Sequence, residues 1–108
     1  MADADAFRRL ALSFPGAEEQ AHMGHPDFRV RKKIFASLPD AGRLVVKLMP
    51  EQQEIMAEAE PAIFSAIKGG WGRQGWTYMQ LSEADETTLK SALTTAWRNV
   101  APKKLTAA

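Results

Sequence analysis

Two apolar stripes at helical spacing stand at opposite ends of this chain, and the segments between them alternate at period two. Phe7, Leu10, Ala11 and Phe14 recur at i, i+3, i+4 and i+7, and Leu89, Leu93, Ala96, Trp97 and Val100 repeat the pattern near the C-terminus. Each set is one side of an amphipathic helix. Such helices must bury their stripes, and one face of an antiparallel sheet would receive both. The order helix, strands with one short helix inserted, helix favours α+β over α/β. The expected fold is a twisted antiparallel β-sheet with the N- and C-terminal helices packed on one face.

Punctuation along the chain sets the elements. Asp3 or Asp5 can cap the first helix and Pro15-Gly16 stops it. Residues 17–23 fit a polar edge strand, Gly24 to Asp27 a turn, and FRVR and KIFASL a tight hairpin. Pro39-Asp40-Ala41-Gly42 turns the chain into RLVVKLM. Pro50-Glu51 opens a helix that Pro61 ends, with proline and an acid suited to the first turn. A glycine-rich connection with a short extended piece near Ile63-Phe64 precedes strand WTYMQL. Ser82 with Asp85 three residues on resembles a capping box for the last helix, and the tail PKKLTAA is basic, then featureless. One domain over residues 1–108 is expected, with an ordered core at about 3–101 and a basic tail at 102–108.

Composition narrows the chemistry. The chain has no cysteine, which excludes disulfides, thiolate metal sites and a Cys nucleophile. No apolar run approaches the roughly 18 residues of a membrane helix, and MADADAFRRL does not read as a signal peptide. A cytoplasmic bacterial-type protein without membrane contact is expected. Net charge is only +1, but it is segregated: Phe28 to Lys47 holds six cations against Asp40, and Glu51 to Glu60 holds four glutamates and no cation.

Alternation divides each strand into two faces. Ile34, Ala36 and Leu38, Leu44, Val46 and Leu48, and Thr77, Met79 and Leu81 form the apolar sets expected under the helices. The opposite sets bring together Lys33, Phe35, Arg43, Lys47, Trp76 and Tyr78. With Arg31-Lys32 as the hairpin turn, Val30 would pair with Lys33 and Phe28 with Phe35 on that same open face. A face mixing cations with aromatics is how single-stranded nucleic acid is held, cations on phosphates and rings on bases. The expected contacts are Arg29, Arg31, Lys32, Lys33, Arg43, Lys47 and Arg73 for phosphates, with Phe35, Trp76 and Tyr78 stacking or packing; Lys68, Lys103 and Lys104 extend the patch. Solubility also accounts for strand lysines, and aromatics are good strand formers.

Other motifs carry less. GWGRQG matches G-x-G-x-x-G by letter but leads into a strand rather than a helix, so no cofactor is expected. His22-x-x-His25 has no third ligand near in sequence, and no metal is expected. Glu51, Glu54 and Glu58 form an acidic ridge that a solvated helix face explains. No nucleophile–base constellation is visible, so no catalytic residue is assigned and no enzyme is expected.

FRVRKKIFASL, LVVKLMPEQQEIM, GGWGRQGWTYMQL and a last helix ending in Val-Ala-Pro-Lys-Lys resemble the MmcQ/YjbR family of small bacterial proteins, from about Phe14 to Leu105. Phe14-Pro15-Gly16, Phe28, Val30, Lys33, Phe35, Ala36, Lys47 before Pro50-Glu51, and Trp76 carry the resemblance most specifically. It implies a CyaY-like fold and DNA binding of the "double wing" description, with Lys33, Lys47 and Trp76 as matched positions on the open face. Lys32 departs from the pattern, which often has glycine there. Frataxin-like proteins share the fold and bind iron through acidic helices; the first helix here is not densely acidic, so iron is not expected. Together these readings point to a monomeric, non-enzymatic DNA-binding module with little sequence preference. The alternative is a protein-interaction domain whose open-face aromatics receive a partner.

Overall fold

The computed structural model describes residues 3–22, 24–40 and 42–106, with only the backbone of His22. The elements run α1 (Ala4–Ser13), β1 (Ala17–His22), β2 (His25–Val30), β3 (Lys33–Ser37), β4 (Arg43–Lys47), α2 (Pro50–Ala59), β5 (Phe64–Ala66), α3 (Gly70–Arg73), β6 (Trp76–Gln80), α4 (Glu86–Val100) and α5 (Lys103–Thr106). The six strands form one antiparallel sheet in the order β1-β2-β3-β4-β6-β5. The α+β architecture follows the sequence expectation. No helix among the described residues is long and apolar enough to cross a membrane.

Local chemistry starts the helices where orphan N–H groups find acceptors. The Asp3 carboxylate accepts from the Ala6 N–H at 2.8 Å and opens α1. Asp85 accepts from the Thr88 N–H at 2.7 Å and opens α4, and that bond holds the Asp85 carboxyl below its usual range. The expected capping box thus shifts by three residues: Ser82 sits in a short 3₁₀ turn, and Asp85 is itself the cap. The tail is not featureless, since α5 sets Leu105 against Gly16 and the core.

The two long helices bury Phe7 and Ala11 from α1 and Leu89, Leu93, Ala96 and Trp97 from α4 on one face of the sheet. Phe7 meets Phe28 edge to face at 5.0 Å. Trp97 stacks on Phe14 at 5.4 Å and donates its indole N–H to the Pro15 carbonyl at 3.0 Å, which ties the end of α1 to α4.

The β2–β3 hairpin both meets and breaks the expectation. Arg31 and Lys32 form its turn with φ of 50° and 74°, the left-handed conformation of the hairpin turns whose twist matches the strands. Val30 pairs with Lys33 as expected. The register then slips: Phe28 faces Ala36 and Arg29 faces Ile34, leaving Phe35 as an extra residue. Such a bulge suspends period-two alternation. Phe35 therefore lies fully buried under the helices, edge to face with Phe14 at 6.2 Å, beside the equally buried Ala36. Ile34, expected in the core, turns to the open face. Lys33 is also displaced, because its partner Val30 belongs to the helix-side core and directly opposed residues share a face.

β4 and β6 keep strict alternation. Leu44, Val46, Leu48, Thr77, Met79 and Leu81 are buried under the helices, and Arg43, Val45, Lys47, Trp76 and Tyr78 take the other side. Phe35→Ala is predicted to destabilise the fold by about 3–5 kcal/mol in urea unfolding, whereas a solvent-facing residue would change it by no more than about 0.5 kcal/mol.

Candidate binding face

Three cations reach the open face from the strands, and each is already engaged. Arg29 grips Asp27 with two parallel bonds, Nε to Oδ1 at 2.7 Å and Nη2 to Oδ2 at 3.0 Å. The hydrogen bonding to the Asp27 carboxylate holds the Arg29 guanidinium above its usual pKa. Arg43 lies 4.2 Å over the Tyr78 ring and donates to Asp40 at 3.1 Å. Burial pushes the Asp40 carboxyl up, but bonds from the Gly42 and Arg43 N–H groups and the Arg43 side chain outweigh it, and the net direction is down. Lys47 extends over Trp76, 5.3 Å from the ring centre, and donates to the Gln74 carbonyl at 2.6 Å. Partial burial without a carboxylate partner lowers its pKa. The cations and rings that suggested a nucleic-acid surface are thus paired with one another in two of the three cases.

The remaining expected phosphate contacts are scattered. Arg31, Lys32 and Lys33 are exposed at the hairpin tip and form no ion pair among the described residues. Arg73 is exposed on α3. Phe35 is in the core, and Lys33 is on the opposite face from Lys47 and Trp76, so the three positions matched by the resemblance do not form one site.

A groove of about 390 Å³ crosses the middle of the open face instead. Ile34 and Val45 lie on its central strands, Ile67, Trp71 and Trp76 on one side, and His25, Asp27 and Ser37 on the other. Pro39 borders it. Trp71 stands 63% exposed, edge to face with Trp76 at 6.0 Å. Of the His22–His25 pair, His25 faces this groove and the His22 side chain lies outside the described residues. Among the described residues, no three His, Asp or Glu side chains gather as a metal site.

The glycines of GWGRQG explain how Trp71 is placed. They build a four-residue helix, where the sequence suggested an irregular loop, and press it against the sheet. A Cβ at Gly72 would collide with the Ile67 carbonyl, and one at Gly75 with the Leu48 carbonyl. Gly75 also has φ of 103°, a conformation only glycine adopts without strain. Gln53 on α2 completes the attachment. Its amide donates to the Gly72 and Trp76 carbonyls at 3.0 and 3.1 Å and to the Thr77 hydroxyl at 3.1 Å. Gln52 and Asn99 secure the same corner, Asn99 donating to Gln52 at 2.8 Å and to the Lys47 carbonyl at 3.0 Å.

Asp27, Ile34 and Gln53 were not singled out from sequence as open-face residues. Asp27 carried a usable signal, since HPDFRV places Asp27 and Arg29 two apart on one strand face. Gln53 carried none, because its acceptors lie 19 to 24 residues away along the chain. Gln53→Ala is predicted to cost about 1–3 kcal/mol in urea unfolding, since it strips buried acceptors of their donor. It should also broaden the Trp71 indole resonance in ¹H–¹⁵N spectra while leaving that of Trp97 sharp.

Comparison with known proteins places this geometry. A family model described as YjbR matches residues 12–99, from the end of α1 to the end of α4. The crystal structure of Deinococcus radiodurans protein DR2400, with the family-model domain DUF419, is similar with a TM-score of 0.79 and 21% identity, covering 96% of this chain and 82% of that one. At that identity the likeness concerns the fold. No curated protein matches. The family match takes in the whole sheet, the groove and all but the last residue of α4, and on it the chain belongs to the YjbR family.

Proposed function

We propose that this YjbR chain is a non-enzymatic binding module, monomeric when free, whose open sheet face anchors a segment of a partner protein. The observation that carries this reading is the groove itself, an apolar cleft with the exposed Trp71 standing over Trp76. Exposed aromatics in a concave, largely preformed site are what binding hot spots are built from. The surrounding charges favour it over a polyanion. Arg29 and Arg43 face carboxylates and Lys47 a carbonyl, so phosphates would have to compete for cations already bonded. A cleft of about 390 Å³ lies in the volume range of preformed ligand pockets and receives an anchoring group rather than a whole partner surface.

A second reading keeps DNA as the ligand, on a different surface. Arg31, Lys32 and Lys33 project from the hairpin tip without acidic partners among the described residues, and a turn can touch a phosphate backbone without using the groove. Its contacts would carry little sequence preference.

One pair of measurements separates the two. Peptides selected from a displayed random library on the wild-type protein should bind, lose about tenfold or more in affinity with Trp71→Ala, and change little with salt. Labelled single- and double-stranded DNA, followed by anisotropy, should bind weakly. DNA binding that falls with salt at a log–log slope near −3, and that vanishes on reversing Arg31 and Lys32, would instead assign about three phosphate contacts to the tip. Failure of the library to yield any groove-binding peptide would overturn the first reading.

A further inference from the structure

The two sides of the groove differ in chemistry. On one side Trp71, Trp76 and Ile67 offer only apolar surface, and the central Ile34 and Val45 continue it. On the other, Asp27 contributes a carboxylate that is 1% exposed yet lines the cleft. Each of its oxygens accepts one bond from Arg29, and a carboxylate has about four lone-pair sites. Two acceptor positions therefore remain, on a side chain whose orientation the guanidinium has fixed. Ser37 pairs with Asp27 across β2 and β3, and its hydroxyl makes no hydrogen bond among the described residues. Asp27 and Ser37 thus offer acceptor oxygens on this side, with the Asp27 charge balanced by Arg29.

We propose, resting on the docking reading above, that the groove selects a partner side chain that is planar and apolar but ends in a hydrogen-bond donor, the indole of a tryptophan in a partner segment. A ring laid on Ile34 and Val45 presents one edge to Trp71 and Trp76, where aromatic pairs gain from offset or edge-to-face contact. Its far edge reaches toward Asp27, since the cleft spans β2 to β6, three strand spacings or about 14 Å. An indole N–H meets the free acceptor there. A carboxylate or phosphate would bring only acceptors to the Asp27 oxygens, and an aliphatic side chain would leave the acceptor without a bond while gaining no ring contact. The anchor is a single residue, and the flanking peptide supplies the rest of the affinity.

The test uses the wild-type protein and small probes, followed by ¹H–¹⁵N shifts. N-acetyltryptophanamide should shift Ile34, Val45, Ile67 and the Trp71 indole. It should bind about fivefold or more tightly than N-acetyl-2-naphthylalaninamide, which keeps a planar bicycle and lacks the N–H, in line with the net worth of one hydrogen bond. Indole-3-acetate should bind more weakly than the amide. Equal or tighter binding by the naphthyl probe, or a preference for the acid, overturns the role of Asp27. If library peptides still occupy the groove in that case, this inference fails alone and the docking reading stands. If neither probe nor any peptide shifts groove residues, both fail.

Discussion

A single extra residue in β3 organises both sides of this sheet. Counted back from the Phe28–Ala36 pair, strict alternation would send Phe35 to solvent and Ile34 beneath the helices. With the slip between Phe28 and Arg29, Phe35 enters the aromatic cluster of Phe14 and Trp97, which links α1, β3 and α4. The same slip delivers Ile34 to the floor of the open-face groove. Core and groove therefore share one cause, and a change that repairs the bulge would damage both.

Charge on the open face shows how residue types can mislead when counted rather than placed. Cations and rings on one sheet face are the ingredients of a nucleic-acid surface, but they are also each other's partners. Arg43 covers Tyr78, Lys47 covers Trp76, and Arg29 is clamped by Asp27. Internal pairing lowers the charge available to a phosphate and occupies ring faces that a base would need. What remains uncovered is Trp71, held over the cleft by a helix that only glycines allow to sit so close.

The helix α2 has an unusual place in this scheme. It buries no residue fully, yet Gln52 and Gln53 on its first turn bond to α4, α3 and β6. Its contribution is polar positioning rather than apolar packing. The acidic ridge of Glu54 and Glu58 is left to solvent.

The sequence by itself determined the α+β class, the two core-forming helices, the Arg31-Lys32 turn, and the faces of β4 and β6. These follow from local periodicities and turn chemistry that need no distant partner. YjbR membership was legible in the hairpin and in GGWGRQGWTYMQL for the same reason, as contiguous motifs. Only the tertiary structure decided that Phe35 is core and Ile34 is not, because a bulge is a relation between two strands and leaves no mark in either alone. It also decided that Lys33 and Lys47 stand on opposite faces and that the open-face cations are already paired. Side-chain pairing across strands depends on register, and register is settled only when the helices choose which face to cover.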